Sequence, residues 1–76
     1  MRMIYLYDRD DWAVHNLGKL FRPHLEAEGV TVELRSMARF IADPEWCDIL
    51  YAGYPGLMER HFDYRPWARE FITTIH

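Results

Sequence analysis

Cysteine is nearly absent from this chain of 76 residues, where Cys47 stands alone. No internal disulfide can form, which excludes a small secreted domain stapled by bridges. A zinc site built on thiolates is excluded too, because it needs several such ligands. Serine is equally scarce. Ser36 lacks the setting of a nucleophile elbow, so no Ser-His-Asp arrangement can be assembled. Positive charge is in deficit, with nine Lys and Arg against twelve Asp and Glu and a formal net charge of −3. That balance does not suit a nucleic-acid module, which draws its affinity from neutralising phosphates. No apolar run approaches the roughly 20 residues of a membrane-spanning helix. The opening residues hold no long apolar core with a small-residue cleavage site, so no signal peptide is expected and the cytoplasm is the default compartment.

What is present reads as globular. Half of the residues are hydrophobic, 16% are aromatic and 28% are charged. Met3 to Tyr7 is continuously apolar, which suits a strand buried on both faces of a parallel sheet. Asp8 to Asp11 breaks that run. Ala13, Leu17, Leu20 or Phe21, and His24 or Leu25 then recur at helical spacing, so the pattern predicts an amphipathic helix with these residues facing the core. Asp10 or Asp11 is placed to cap it, and Gly29 to end it in a left-handed conformation. Pro23 predicts a kink near Lys19, or a break with Pro23 opening a second helix.

Val30 to Leu34 alternates as a strand does. Met37, Phe40 and Ile41 have helical spacing and stop before Asp43-Pro44. Asp48 to Gly53 reads as a third strand and Tyr54-Pro55-Gly56 as a turn. Leu57 to Phe62 fits a helical turn or two, and Phe71 to Ile75 is β-branched and reads as a fourth strand. Residues 1–76 thus predict a single α/β domain. It is a small parallel sheet of about four strands with flanking helices, a Rossmann-like half domain with right-handed crossovers. One good helix is thin cover for such a sheet. The expected remedy is a protein partner, a second copy in a homo-oligomer, or the remainder of a longer chain.

In an open α/β sheet the ligand crevice lies beyond the carboxyl ends of the strands. Three loops reach that edge: Asp8 to Trp12, Arg35 to Phe40, and Tyr54 to Leu57. The first has no glycine and carries three carboxylates, which opposes a dinucleotide at this loop. Asp11 and His15, four apart, are placed to share a helix face as an ion pair or as two metal ligands. Two ligands do not make a metal site, and His15, His24, His61 and His76 show no common spacing. No metal and no cofactor are implied. Cys47, beside Asp48 and ahead of an apolar run, reads as a packing residue rather than a reactive thiol. Most of the aromatic residues read as core. In the C-terminal third, Arg60, Tyr64, Arg65, Trp67 and Arg69 have the composition of a partner-facing surface, against the plainer reading of a solvated face over packed rings.

Asp8-Arg9-Asp10 after an apolar strand resembles the first motif of haloacid-dehalogenase-like phosphatases. Trp12 stands where that family has threonine or valine, and its later lysine and acidic pair have no counterpart here. A longer likeness runs through the apolar first strand, Asp8, and Trp12-Ala13-Val14-His15-Asn16-Leu17. It continues in Asp48-Ile49-Leu50-Tyr51, Gly53-Tyr54-Pro55 and the closing Ile72-Thr73-Thr74-Ile75-His76. Together these resemble the N-terminal, acceptor-side part of a GT-B-type glycosyltransferase of the retaining, glycogen-synthase-like group. The resemblance implies a portion inactive alone, with Asp8, Trp12, His15, Asn16 and His76 on the acceptor side. The alternative is a stand-alone small protein-binding inhibitor or adaptor, of the kind phage use against host defence enzymes, with no catalytic activity.

Overall fold

The computed structural model describes residues 1–53 and 63–73. Four six-residue strands form one sheet: β1 (Arg2–Tyr7), β2 (Thr31–Ser36), β3 (Cys47–Ala52) and β4 (Ala68–Thr73). Their order is β2-β1-β3-β4 and every pair is parallel, with Tyr5 opposite Leu34 on one side and Tyr51 on the other. Two helices connect them, α1 (Ala13–Ala27) between β1 and β2 and α2 (Met37–Ala42) between β2 and β3. The expected small parallel α/β sheet is therefore present.

The apolar run of the first strand is explained by its place at the inside of the sheet. Side chains alternate across a strand, so Met3, Tyr5 and Tyr7 fall on one face and Ile4 and Leu6 on the other. All five are buried. The first three join Val32 beneath α1, packed by Val14 and Leu25 of that helix. Ile4 and Leu6 join Leu50, Ala52 and Phe40 on the α2 face, where Met37, Tyr64, Trp67 and Phe71 complete the packing. Cys47 is buried in that second cluster, as its apolar neighbours predicted, and burial pushes its thiol pKa up. The two helices therefore cover opposite faces, as a chain that reverses its direction of travel across the sheet requires.

Helix α1 departs from its sequence pattern in three respects. It is not capped by Asp10 or Asp11: the N-cap is Trp12, in extended backbone and without a side-chain cap. Asp10 is engaged elsewhere, accepting from the Tyr7 hydroxyl at 2.7 Å, and Asp11 sits at φ 63° in the turn before the helix. Pro23 does not break the helix, which runs unbroken from Ala13 to Ala27. Pro23 is exposed, and it has no N–H to donate to the Lys19 carbonyl. Gly29 ends the segment at φ 87°, as predicted, with its N–H donating to the Glu26 carbonyl.

The third departure concerns which side of α1 is seated. The expected apolar face is turned about a quarter of the way round from the sheet. Val14, Gly18 and Leu25 face inward, while Leu17, Phe21 and especially Leu20, at 67% exposure, remain in solvent. Gly18 decides this. A Cβ built on it would stand 2.5 Å from Cε1 and 2.6 Å from Cδ1 of Tyr5, so the helix backbone rests directly on that ring. Gly53 approaches the same ring from the end of β3, and the Tyr5 hydroxyl donates to the Val14 carbonyl at 2.8 Å. Tyr51 stacks on Tyr5 with centroids 5.3 Å apart. Tyr5 is thus held on every side, and burial raises its pKa to about 12.

At the amino edge of the sheet, Arg2 ties the strands together. Its guanidinium pairs with Glu33 of β2 and with Glu45, which lies before β3, while its backbone N–H donates to the Asp48 carboxylate at 2.8 Å. Arg35 reaches both acids from β2 at 3.4 and 3.5 Å. The hydrogen bond from Arg2 holds the Glu33 carboxyl below its ordinary pKa.

Candidate functional site

The chain reverses direction at β1, whose neighbours β2 and β3 are reached by crossovers on opposite faces. The crevice of such a sheet opens beyond the carboxyl ends of those strands. Three of the residues nominated there on the glycosyltransferase resemblance, Trp12, His15 and Asn16, gather around one turn. The His15 ring stacks on Tyr7 with centroids 4.0 Å apart. Its Nδ1 accepts from the Asp11 backbone N–H at 2.8 Å, which leaves the proton of the neutral ring on Nε2. The side-chain amide of Asn16 donates to the Asp11 carbonyl at 3.0 Å. Trp12 is 53% exposed and carries the Arg9 guanidinium over its ring at 4.6 Å. Asp8, half-buried, accepts from the Arg9 backbone N–H at 2.9 Å.

The expected pairing of Asp11 with His15 through their side chains is not what forms. Asp11 offers His15 its backbone, because the residue lies outside the helix, and its carboxylate pairs with Lys19 at 3.1 Å. Among the described residues no cluster of three or more His, Cys, Asp or Glu is arranged to hold a metal ion. Tyr7 is the buried acid of this corner. Its pKa is raised to about 12, first by burial and then by its hydrogen bond to Asp10, with Arg39 and Arg35 opposing. Most polar groups of the loop thus bond within it. Among the described residues the arrangement presents an exposed indole and an imidazole Nε2, without a nucleophile beside a base.

The C-terminal set is divided between packing and surface. Trp67 is half-buried, edge-on to Phe40 at 6.3 Å, and Tyr64 stacks on Phe71 at 5.6 Å. Arg65 and Arg69 are exposed and pair with Asp63 and Asp48. Arg60, His76, the Tyr54 to Leu57 loop and the Leu57 to Phe62 helical turn lie outside the described residues, as do the last residues of the expected fourth strand.

A different feature stands on the α1 face, and the residue spacing did not single it out. Helix α1 lies over β1 and β2, and beside it runs a groove of about 390 Å³. Met3, Tyr5, Tyr51 and Ile72 form its floor, and Phe21, His24 and Leu25 form its wall. Its exposed lining is entirely apolar. The wall continues along α1 through Leu17 and Leu20, both exposed. A sequence signal for this surface existed in Gly18. A glycine inside a helical pattern weakens the helix and points to a packing reason, and centring the buried face on it leaves Leu17, Leu20 and Phe21 on the flank.

Fold and site together define a small doubly wound α/β protein in which, among the described residues, one sheet face carries a helix over two of its four strands. No family model matches the chain, and neither the curated proteins nor the solved structures yield a match. No described helix is long and apolar enough to cross a membrane.

Proposed function

We propose that this chain acts as a non-catalytic protein-binding module, engaging its partner through the α1 face of β3 and β4. One observation carries the reading: the apolar groove between Phe21 of α1 and Tyr51 and Ile72 of the sheet, with Leu17 and Leu20 exposed farther along the same helix. Parallel sheets are stable when both faces are covered, and contiguous apolar patches on small proteins mark interaction sites. The carboxyl-edge loop supports binding more than turnover, since most of its polar groups bond to one another.

A photo-crosslinking residue at position 72, introduced in the native source, tests this reading. It is expected to trap a discrete protein, while the same probe at Thr31, on the opposite edge strand, traps none. Unmodified monomer at both positions would refute it. The second reading keeps the acceptor-side portion of a glycosyltransferase. The observation favouring it is that Trp12, His15 and Asn16 surround one turn at the carboxyl edge, with Asp8 at its start. Saturation-transfer NMR with a panel of oligosaccharides tests it. Contacts confined to the Trp12 and His15 rings would support it, and absence of any transfer would end it.

A further inference from the structure

The strip of β3 and β4 that no described helix covers has the width of one helix. Strands in a sheet lie about 4.8 Å apart, so β3 and β4 together present roughly 10 Å, and an α-helix with its side chains measures about 10–12 Å across. A helix laid there would pack against α1 on one side and the sheet beneath, the arrangement by which helices ordinarily cover parallel strands. The flank of α1 is prepared for it. Leu17, Leu20, Phe21 and His24 recur at spacings of three and four, which makes a ridge that a second helix can receive.

The rim carries two carboxylates. Glu70 precedes Ile72 by two on β4 and so shares its face, opposite Ile49 in the register. Glu28 follows His24 by four at the carboxyl end of α1, on the same flank. Both are exposed, and neither has an ion pair among the described residues. The carboxyl end of α1 adds the negative pole of its own dipole there. The cations of this helix are engaged away from the groove, Lys19 with Asp11 and Arg22 with Glu26.

From this geometry we infer that the occupant is an amphipathic helix of a partner protein, with an apolar stripe in the groove and basic residues over Glu28 and Glu70. The inference rests on the protein-binding reading above and names the chemistry of its partner. A second copy is a poorer occupant. The α1 flank of a second copy carries the same Glu28 at its end and would bring carboxylate against carboxylate over the strip.

The test uses the full chain and two synthetic helical peptides. They share a leucine stripe and carry either arginine or glutamate at the rim positions. Titration calorimetry and amide shifts are read together. The arginine peptide is expected to bind the monomer at least about tenfold tighter than the glutamate peptide. Its shifts should centre on Phe21, His24, Tyr51 and Ile72, and added salt should weaken it. The paired reversal Glu28→Lys and Glu70→Lys should invert the preference, and Ile72→Lys should abolish binding of both peptides. All three positions are exposed, so the variants keep their near-UV circular dichroism. Equal affinity for the two peptides, no binding of either, or binding indifferent to Ile72→Lys would overturn the inference. So would a dimer in sedimentation that excludes the peptides. If crosslinking at position 72 captures a partner through a non-helical or acidic segment, the helix inference fails and the protein-binding reading survives.

Discussion

Replacing Gly18 with alanine sets two effects against each other on one atom. In a free helix the change is favourable by about 1 kcal/mol, because glycine is the poorer helix former. In this fold the new methyl group would stand 2.5 Å from Tyr5, well inside van der Waals contact. The ring has no route of retreat, with its hydroxyl on the Val14 carbonyl, Gly53 behind it and Tyr51 stacked against it. Overpacking of this kind costs about 1–3 kcal/mol, and the confinement of Tyr5 places it at the upper end. The net loss is about 2 kcal/mol. For a domain of this size that lowers Tm by about 8–16 °C. Thermal unfolding followed by circular dichroism measures it directly. The reasoning also requires coupling: in a Tyr5→Leu background the same Gly18→Ala change should cost far less, because the obstructing ring is gone. A Tm that stays level or rises in the single variant would mean that helix propensity wins. Tyr5 would then not be the wedge described above.

Pro23→Ala restores a backbone donor to the Lys19 carbonyl inside an unbroken helix, and should raise stability by about 2 kcal/mol in urea titration, less a small unfolded-state term. Arg2→Ala leaves Glu33 and Glu45 to Arg35 alone and should lower the urea midpoint; it should also shrink the Glu33 part of the stability difference between neutral and acidic pH. That pH effect has a definite sign: Glu33 is held below its ordinary pKa in the fold, so its contribution is present above the unfolded carboxylate value and disappears as pH falls through the folded one. Tyr5 and Tyr7, both raised to about 12, contribute below pH 10 and lose that contribution as pH rises toward 12. Absorbance titration should therefore show two tyrosines ionising only with alkaline unfolding, and their release at pH 10 in the folded protein would contradict the burial described.

The sheet was legible because its strands differ in kind. An unbroken apolar run at Met3–Tyr7, alternation at Val30 to Leu34 and the apolar stretch after Cys47 each suit a strand, and they lie in order as β1, β2 and β3. The fourth strand was found but begins earlier, at Ala68, because charged Arg69 and Glu70 sit on an edge strand whose exposed positions tolerate them. The seating of α1 was not legible from its apolar residues. Periodicity weights Leu17, Leu20 and Phe21 by hydrophobicity and gives Gly18 nothing, while the fold uses the missing side chain. The same blindness hid the groove, which exists because the bulky side of the helix is not the side that meets the sheet. At the carboxyl edge, spacing correctly placed His15 and Asn16 near Asp11. It could not reveal that Asp11 would serve them with its backbone.

The central strand has no near neighbour in the chain. β1 is flanked by β2 and β3, and each lies across a helical crossover, so no hairpin anywhere in the described sheet can form ahead of the rest. Every strand pairing must close a long loop before it returns any contact energy. Of the two described helices α1 is the longer and the better placed to form early, and it carries an exposed proline and a glycine that weaken it on its own. Assembly of this protein is therefore a concerted, slow event in which Met3–Tyr7, its most apolar segment, stays open until chain from both sides has come round to meet it.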